Sequence, residues 1–436
     1  VTIQAGSRWQ NWGRSVEATP QFVGRANTVG DVVDTLTFAR ERGTTVRAIG
    51  AGHSFTPIAA TEGVLLDVSG LRGLLGVDGR LVTLGAGTHL HELPELLAPH
   101  GLALENMGDI NVQTIAGALS TGTHGTGARF GGLATQVRGA TIVTASGELL
   151  HIDRDHHADL LPAIALGLGA LGVLVAVQLE CVPEFVLSAV ERPEPAETVL
   201  AEWEQRIAEH DHFEFYSWPH ADLVSTKTNT RLPADAQREP LGPMREWFDN
   251  RFMSNTVFRL SLEMLRAMPA MIPPMNRLSV RLEADRAFSD YSWNVFSTVR
   301  TTRFREMEYA IPVAEVPAAL REVHDLIERK NWKISFPIEV RASAADDLWL
   351  STAAGRPTGY IAVHRYWKDD EREYFREVEA IMRAHDGRPH WGKMNSRTAD
   401  DLRPSYPRFD DFLAARDRLD PDRLFQNPYL ARVLGA

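Results

Sequence analysis

Arg47-Ala48-Ile49-Gly50-Ala51-Gly52-His53-Ser54-Phe55-Thr56-Pro57 is the stretch that decides how this chain is read. A short apolar run from Thr45 enters a pair of glycines and leaves them through a histidine and a serine, and Val64–Val68 resumes the apolar pattern. Glycine lets the backbone come close to a ligand and adopt positive φ, so successive N–H groups can converge on an anion. The histidine stands where that turn ends. No other stretch sets a nucleophilic side chain so close to an anion-cradling turn, and the spacing predicts strand, turn and strand around it.

Outward from this turn, Val29, Val32, Val33 and Leu36 follow helical spacing up to Gly43. Leu81–Leu84 reads as a strand and His91–Pro99 as a helix. Gly139–Ala145 and Glu148–Ile152 flank Ser146-Gly147 as a hairpin. Leu160–Leu179 carries no charge over the length of a membrane span. Pro162, Gly167, Gly169 and Gly172 interrupt it, and its second half is β-branched, so it reads as a short helix, a turn and a buried strand.

The chain has 436 residues, which suits two or three domains. Its composition, 44% hydrophobic and 24% charged, is that of a soluble globular protein. A net charge of −11 without a Lys/Arg-dense stripe argues against a nucleic-acid partner. One cysteine, Cys181, excludes an internal disulfide and suits a reducing cytoplasm. The first residues lack the apolar core of a signal peptide, so a cytoplasmic location and no membrane span are expected. No metal site is expected.

The fold class expected is α+β in two domains. Residues 1–185 form the first part of a ligand-binding domain, 186–385 a substrate or cap domain, and 386–436 a segment returning to the first. Composition shifts at Glu191-Arg192-Pro193-Glu194-Pro195, which reads as a domain boundary. Six of the ten methionines fall between Met244 and Met275, with Pro269, Pro273 and Pro274. That segment is either a loosely packed helical layer or a mobile cap. Val316, Leu320, Val323, Leu326 and Ile327 mark an amphipathic helix, followed by strands through Ile338–Arg341 and Tyr360–Tyr366.

A second glycine-rich element is Ser120-Thr121-Gly122-Thr123-His124-Gly125-Thr126-Gly127. It can aim N–H and hydroxyl donors at a pyrophosphate, or be a structural turn; it is neither a Walker A loop nor a Gly-x-Gly-x-x-Gly fingerprint. Glu339 and Arg341, one residue apart on a strand, point to one face, either a solvated edge or a site. His364 lies on an alternating strand as a core histidine or a reactive one, and Lys393 ends Pro389-His390-Trp391-Gly392-Lys393.

These motifs occur in order with Gly169-Ala170-Leu171-Gly172-Val173, Ile338-Glu339-Val340-Arg341-Ala342 and Asp420–Tyr429. Together they resemble the aldonolactone oxidase and alditol oxidase branch of the vanillyl-alcohol-oxidase-type (VAO/PCMH) flavoproteins, from Trp9 to Leu434. The resemblance implies FAD held by Gly50, Ala51, Gly52 and Ser54, with Ser120, Gly122, Thr123, His124, Gly172 and Val173 lining its site. It implies a covalent bond from His53 to the flavin 8α carbon. Arg341 would hold the substrate oxygen and Glu339 would orient Arg341 or assist proton removal. Lys393 would sit near the flavin N1–C2 locus and His364 near the reacting carbon. Gly108 falls where the branch controls oxygen access, and a glycine there implies O2 as acceptor with H2O2 as product. Asp109 replaces a serine of the alditol oxidases, which leans the substrate toward a sugar lactone, such as L-gulono- or D-arabinono-1,4-lactone, over a polyol. An alditol oxidase acting on xylitol or sorbitol is the first alternative and a lactone dehydrogenase with another acceptor the second, and the oligomeric state stays open.

Overall fold

The structure is a computed structural model that describes residues 2–233 and 235–436. Helix Val29–Glu41 starts on a capping box between Thr28 and Asp31 and stops just before Gly43, whose φ is +60°. It connects strand Phe22–Arg25 to Val46–Ile49, and both pair parallel with Val64–Asp67 between them. Ile3–Ala5 completes this four-stranded sheet on its outer edge. The loop after Val46–Ile49 is the glycine turn. It therefore leaves the carboxyl end of a parallel strand, where α/β folds place their ligands.

A second sheet is antiparallel, with Leu149–Asp153, Val137–Val143, Val173–Glu180, Leu81–Gly85 and Leu74–Asp78 side by side. Here the uncharged run behaves as its glycines and β-branching suggest. Leu161–Ile164 is a short helix and Val173–Glu180 a strand with alternating burial. No helix of the described residues is long and apolar enough to cross a membrane.

The third sheet has eight strands in the order Arg286–Tyr291, Val186–Pro195, Leu223–Arg231, His212–Ser217, Ile338–Ser343, Thr358–Tyr366, Phe304–Pro312 and Arg388–Pro389. One face is apolar. Phe213, Phe215, Met307, Tyr309, Ile338, Val340, Ile361 and Val363 pack there against Val316, Leu320, Val323 and Ile327 of helix Val316–Arg329 and Val378 of helix Arg372–Ala384. Because side chains alternate along a strand, the residues between them project from the opposite face, which carries the acids and bases described below.

Glu191–Pro195 is not a boundary. It continues strand Val186–Pro195, pairing along its whole length with Leu223–Arg231. The neighbour on the other side, Arg286–Tyr291, pairs only as far as Glu191, so Pro193 and Pro195 lie where one edge is free and no ladder donor is missed. The methionine-rich segment is helical through Pro243–Glu246, Trp247–Val257, Phe258–Ala267 and Ile272–Arg281. It is not a packed layer throughout, since Met244, Met264, Met268 and Met271 are exposed, while Phe248, Met253 and Phe258 wall an outer cavity. The C-terminal segment returns to the first sheet. Val46 N–H donates to Leu424 O at 2.8 Å, and Leu424 and Phe425 share a core with Val32, Leu36 and Val64.

Candidate functional site

The glycine turn forms the floor of a cleft of about 990 Å³, open mouth included, which Gly50–Ser54, Gly117, Ser120, Gly169 and Gly172 help to line. Gly50 has no room for a side chain, because a Cβ there would lie 2.0 Å from Thr114 Oγ1. Gly52 adopts φ +67°, which glycine tolerates without cost. Arg47, itself buried, fixes the turn from beneath. Its guanidinium donates to the carbonyls of Ile58, Leu168, Gly169 and Phe425 at 2.8–2.9 Å, tying the glycine turn, the turn at Leu168–Gly169 and the C-terminal segment to one point. A turn that admits no Cβ at Gly50 and takes a left-handed backbone at Gly52 suits close approach to a dinucleotide pyrophosphate.

His53 and Ser54 belong to this cleft and also to a more enclosed, inner chamber beside it. The His53 ring stacks on Trp12, centroids 5.2 Å apart, and among the described residues nothing hydrogen-bonds its nitrogens. Burial, then the nearby Lys393 charge, lower its pKa to about 4, so the imidazole is neutral near pH 7.

The chamber brings together Gly108, Asp109, Thr123, His124, Glu339, Arg341, His364 and Lys393, from segments up to 285 residues apart. Glu339 and Arg341 do share a face, and it is buried, not a solvated edge. Arg341 is ion-paired with Glu339, donates through Nε to Glu214 Oε2 at 2.9 Å and lies 3.7 Å from Asp109. Burial lifts the Glu339 carboxyl above its ordinary range. Arg341 opposes this, but the Asp109 and Glu214 charges reinforce it. Tyr216 donates its hydroxyl to Glu339 at 3.1 Å. Asp109 is held low in spite of burial, by Arg300 at 2.7 Å and by Arg341.

Lys393 is ion-paired with Glu306, and the opposite Glu306 oxygen lies 3.5 Å from His364 Nε2. Burial works against both charges, yet each stabilises the other, so Lys393 is raised and Glu306 falls to about 2. His364 Nδ1 meets Pro337 O at 3.0 Å. Glu308, two residues along the same strand, lies 3.2 Å from His124 Nε2. His124, Glu308 and His390, and likewise Glu306, Glu339 and His364, have ligand-type atoms within 4.8 Å of one another. In these sets Glu306 and Glu339 already face Lys393 and Arg341.

Two of the expected residues line neither space. Gly122, at φ +79°, closes helix Ile115–Thr121, and the Val173 side chain is buried in the core with Val143 and Val175. Glu214, Tyr216, Arg300, Glu306 and Glu308 were not anticipated. The strands carrying four of them do alternate apolar and acidic residues, His212-Phe-Glu-Phe-Tyr216 and Phe304-Arg-Glu-Met-Glu-Tyr309, which is a readable sign of one functional face. Arg300 stands on a loop without such a pattern.

Residues 177–433 match the D-arabinono-1,4-lactone oxidase family over more than half of the chain. The chain belongs to that family. It is an FAD-dependent oxidoreductase, and residues 20–153, which contain the glycine turn, match an FAD-binding domain. An L-gulono-1,4-lactone dehydrogenase of Mycobacterium tuberculosis is 42% identical to this D-arabinono-1,4-lactone oxidase family member, covering 98% of this chain and 99% of that one. L-gulonolactone oxidase of Bos taurus is 32% identical, covering 98% of each chain. An alditol oxidase of a Streptomyces species is 30% identical, covering 97% of this chain and 98% of that one. Cholesterol oxidase from Brevibacterium sterolicum shares the fold at a TM-score of 0.83 and 20% identity, covering 99% and 97% of the two chains.

Proposed function

We propose that the protein is an aldonolactone oxidase that oxidises a secondary hydroxyl of a sugar 1,4-lactone, with its FAD bonded covalently to His53. The observation that carries this reading is the junction at His53, where the cofactor cleft meets a chamber containing a buried carboxylate, guanidinium and ammonium. FAD, when bound, would supply the two-electron acceptor for the hydride leaving the substrate's carbinol carbon, with O2 as the final oxidant. Gly50–Ser54, Ser120 and Gly169–Gly172 would hold it.

Arg341, fixed by Glu214 and Glu339, donates to the substrate oxygen and orients the carbinol carbon toward the cleft. Glu339, with its raised pKa and its partner Tyr216, takes the hydroxyl proton. Lys393 brings a positive charge to the chamber wall nearest His53 and favours transfer of negative charge toward the cofactor. The neutral imidazole at residue 53, whose nitrogens meet no hydrogen-bond partner among the described residues, has a ring nitrogen available for that covalent bond.

Gly108 supports O2 as acceptor. A Cβ at that position would lie 3.2 Å from His124 O and 3.3 Å from Thr123 Cγ2, closing space that the glycine leaves open in the chamber wall. The Mycobacterium tuberculosis relative, an L-gulono-1,4-lactone dehydrogenase, favours a second reading, the same lactone oxidation with a non-oxygen acceptor.

The tests separate these points. Acid-denatured protein should retain its yellow chromophore, and His53→Ala should release it; complete release from the unaltered protein refutes the covalent bond. L-gulono-1,4-lactone should bleach the flavin without air, and admitting air should restore the colour with one H2O2 formed per lactone. Bleaching that air fails to reverse but a dye acceptor does would establish the dehydrogenase instead.

A further inference from the structure

We propose that Arg300, held by Asp109, is a subsite for the carbonyl oxygen next to the reacting carbon, and that the same subsite binds the carboxylate of the ring-opened aldonate. The inference rests on the lactone-oxidising reading above and names the group that makes the chamber select a lactone over an open-chain polyol.

Three cations, Arg300, Arg341 and Lys393, line the inner chamber, and Lys227, Arg245 and Arg286 line the outer cavity with Arg300. Lys393 is paired with Glu306. Arg341 spans Glu214 and Glu339. Lys227 donates to Val295 O at 3.1 Å and lies 3.7 Å from Glu214. Arg300 meets Asp109 through Nη2 alone, at 2.7 Å, and among the described residues nothing accepts from its Nε or Nη1. Its side chain is 38% accessible, against 23% for Lys393 and 7% for Arg341, so it is the most open of the inner chamber's cations.

Its position is fixed. Thr298 N–H donates to Asp109 O at 2.9 Å, and Ser297 Oγ reaches Gly108 O at 3.3 Å. From the other side, the Asn255 amide donates to Val299 O at 2.8 Å and accepts from Thr301 N–H at 2.6 Å. The loop carrying Arg300 is therefore held between the Gly108–Asp109 turn and the methionine-rich helices. Asp109, Arg300, Thr298 and Glu339 line both the inner chamber and the larger outer cavity, so a substrate entering from the outer cavity passes the Arg300 guanidinium on its way to His53.

A guanidinium offers donors and no acceptor. An ester carbonyl is an acceptor only and satisfies two such N–H groups without a compromise. A polyol hydroxyl must also place its own proton, and the nearest acceptor, Asp109, is occupied by Arg300 and Arg341. A carboxylate, charged and planar, matches the fork better still, so the hydrolysed substrate should bind as a competitive inhibitor.

The test uses the flavin-loaded enzyme and two variants, Arg300→Gln and Arg300→Lys, with thermal melting and flavin content as checks on folding. Steady-state constants are measured for L-gulono-1,4-lactone, inhibition constants for L-gulonate, and xylitol serves as the polyol, as substrate or as inhibitor. Arg300→Gln should raise the lactone KM by about tenfold to a hundredfold with a much smaller change in kcat, the signature of lost binding away from the reacting atoms. L-gulonate inhibition should weaken by at least as much, xylitol by less, and Arg300→Lys should recover part of both losses. Equal losses for lactone and xylitol, an effect confined to kcat, or unchanged L-gulonate inhibition would overturn the subsite. An unaltered enzyme that oxidises no lactone would instead overturn the reading on which it rests.

Discussion

Glu306→Gln removes the charge that pairs with Lys393 while preserving size and a carbonyl oxygen. Glu306 is almost fully buried and Lys393 is about three-quarters buried, so water can replace little of the lost interaction. Breaking a buried pair by deleting one partner typically costs about 3–5 kcal/mol, because the remaining ion stays desolvated without a counter-charge. Glu308 lies on the same strand face and still stabilises Lys393, which places the expected loss at about 3 kcal/mol, the lower end. The entropy of unfolding for 436 residues is about 0.9 kcal/mol per degree, so the melting temperature should fall by about 3 °C. Removing both charges in Glu306→Gln/Lys393→Met should return much of that loss, since no ion is then stranded. Melting curves on the unaltered protein, Glu306→Gln, Lys393→Met and the double variant give the coupling directly. A Glu306→Gln protein that melts with the unaltered one, or a double variant no more stable than Glu306→Gln, would refute the buried pair as the origin of Lys393's raised pKa.

Gly50→Ala places a Cβ 2.0 Å from Thr114 Oγ1, so the turn must move. The overpacking should cost about 1–3 kcal/mol and show as a reduced flavin-to-protein absorbance ratio; full flavin content would show that the turn is not the cradle. His212 and His390 are held by burial at about 4, below the ordinary value of 6.5. For a histidine lowered in the fold, the stabilising effect is complete above pH 6.5 and is lost as pH falls toward 4. Unfolding at pH 5.5 should therefore take up about 0.9 proton at each of the two, less what the raised carboxyls of Asp346 and Asp420 already hold. Melting temperatures from pH 7 to pH 4.5 measure this, and a flat profile would contradict the buried neutral state.

Much of the fold was legible because it is written in short range. The helix at Val29–Glu41, the strands around the glycine turn, the interrupted uncharged run and the amphipathic helix Val316–Arg329 all follow from periodicity and punctuation within a dozen residues. Glu191–Pro195 misled because proline and charge mark a free strand edge as readily as a linker, and only the length of the neighbouring strand distinguishes the two. The resemblance implied Val173 and Gly122 at the cofactor site, but the strand turns the Val173 side chain into the core and Gly122 closes a helix.

By itself the sequence determined the glycine turn ending at His53 and the placing of Glu339 with Arg341 on one face, because each rests on residues a few positions apart, and membership of a lactone-oxidising flavoprotein branch, because short motifs recur in a fixed order along the chain. The tertiary structure alone decided that Glu214, Arg300, Glu306 and Glu308 meet them. Those charges come from different strands and a loop, and their influence on one another depends on distance and on exclusion of water, neither of which is a property of a linear order of residues.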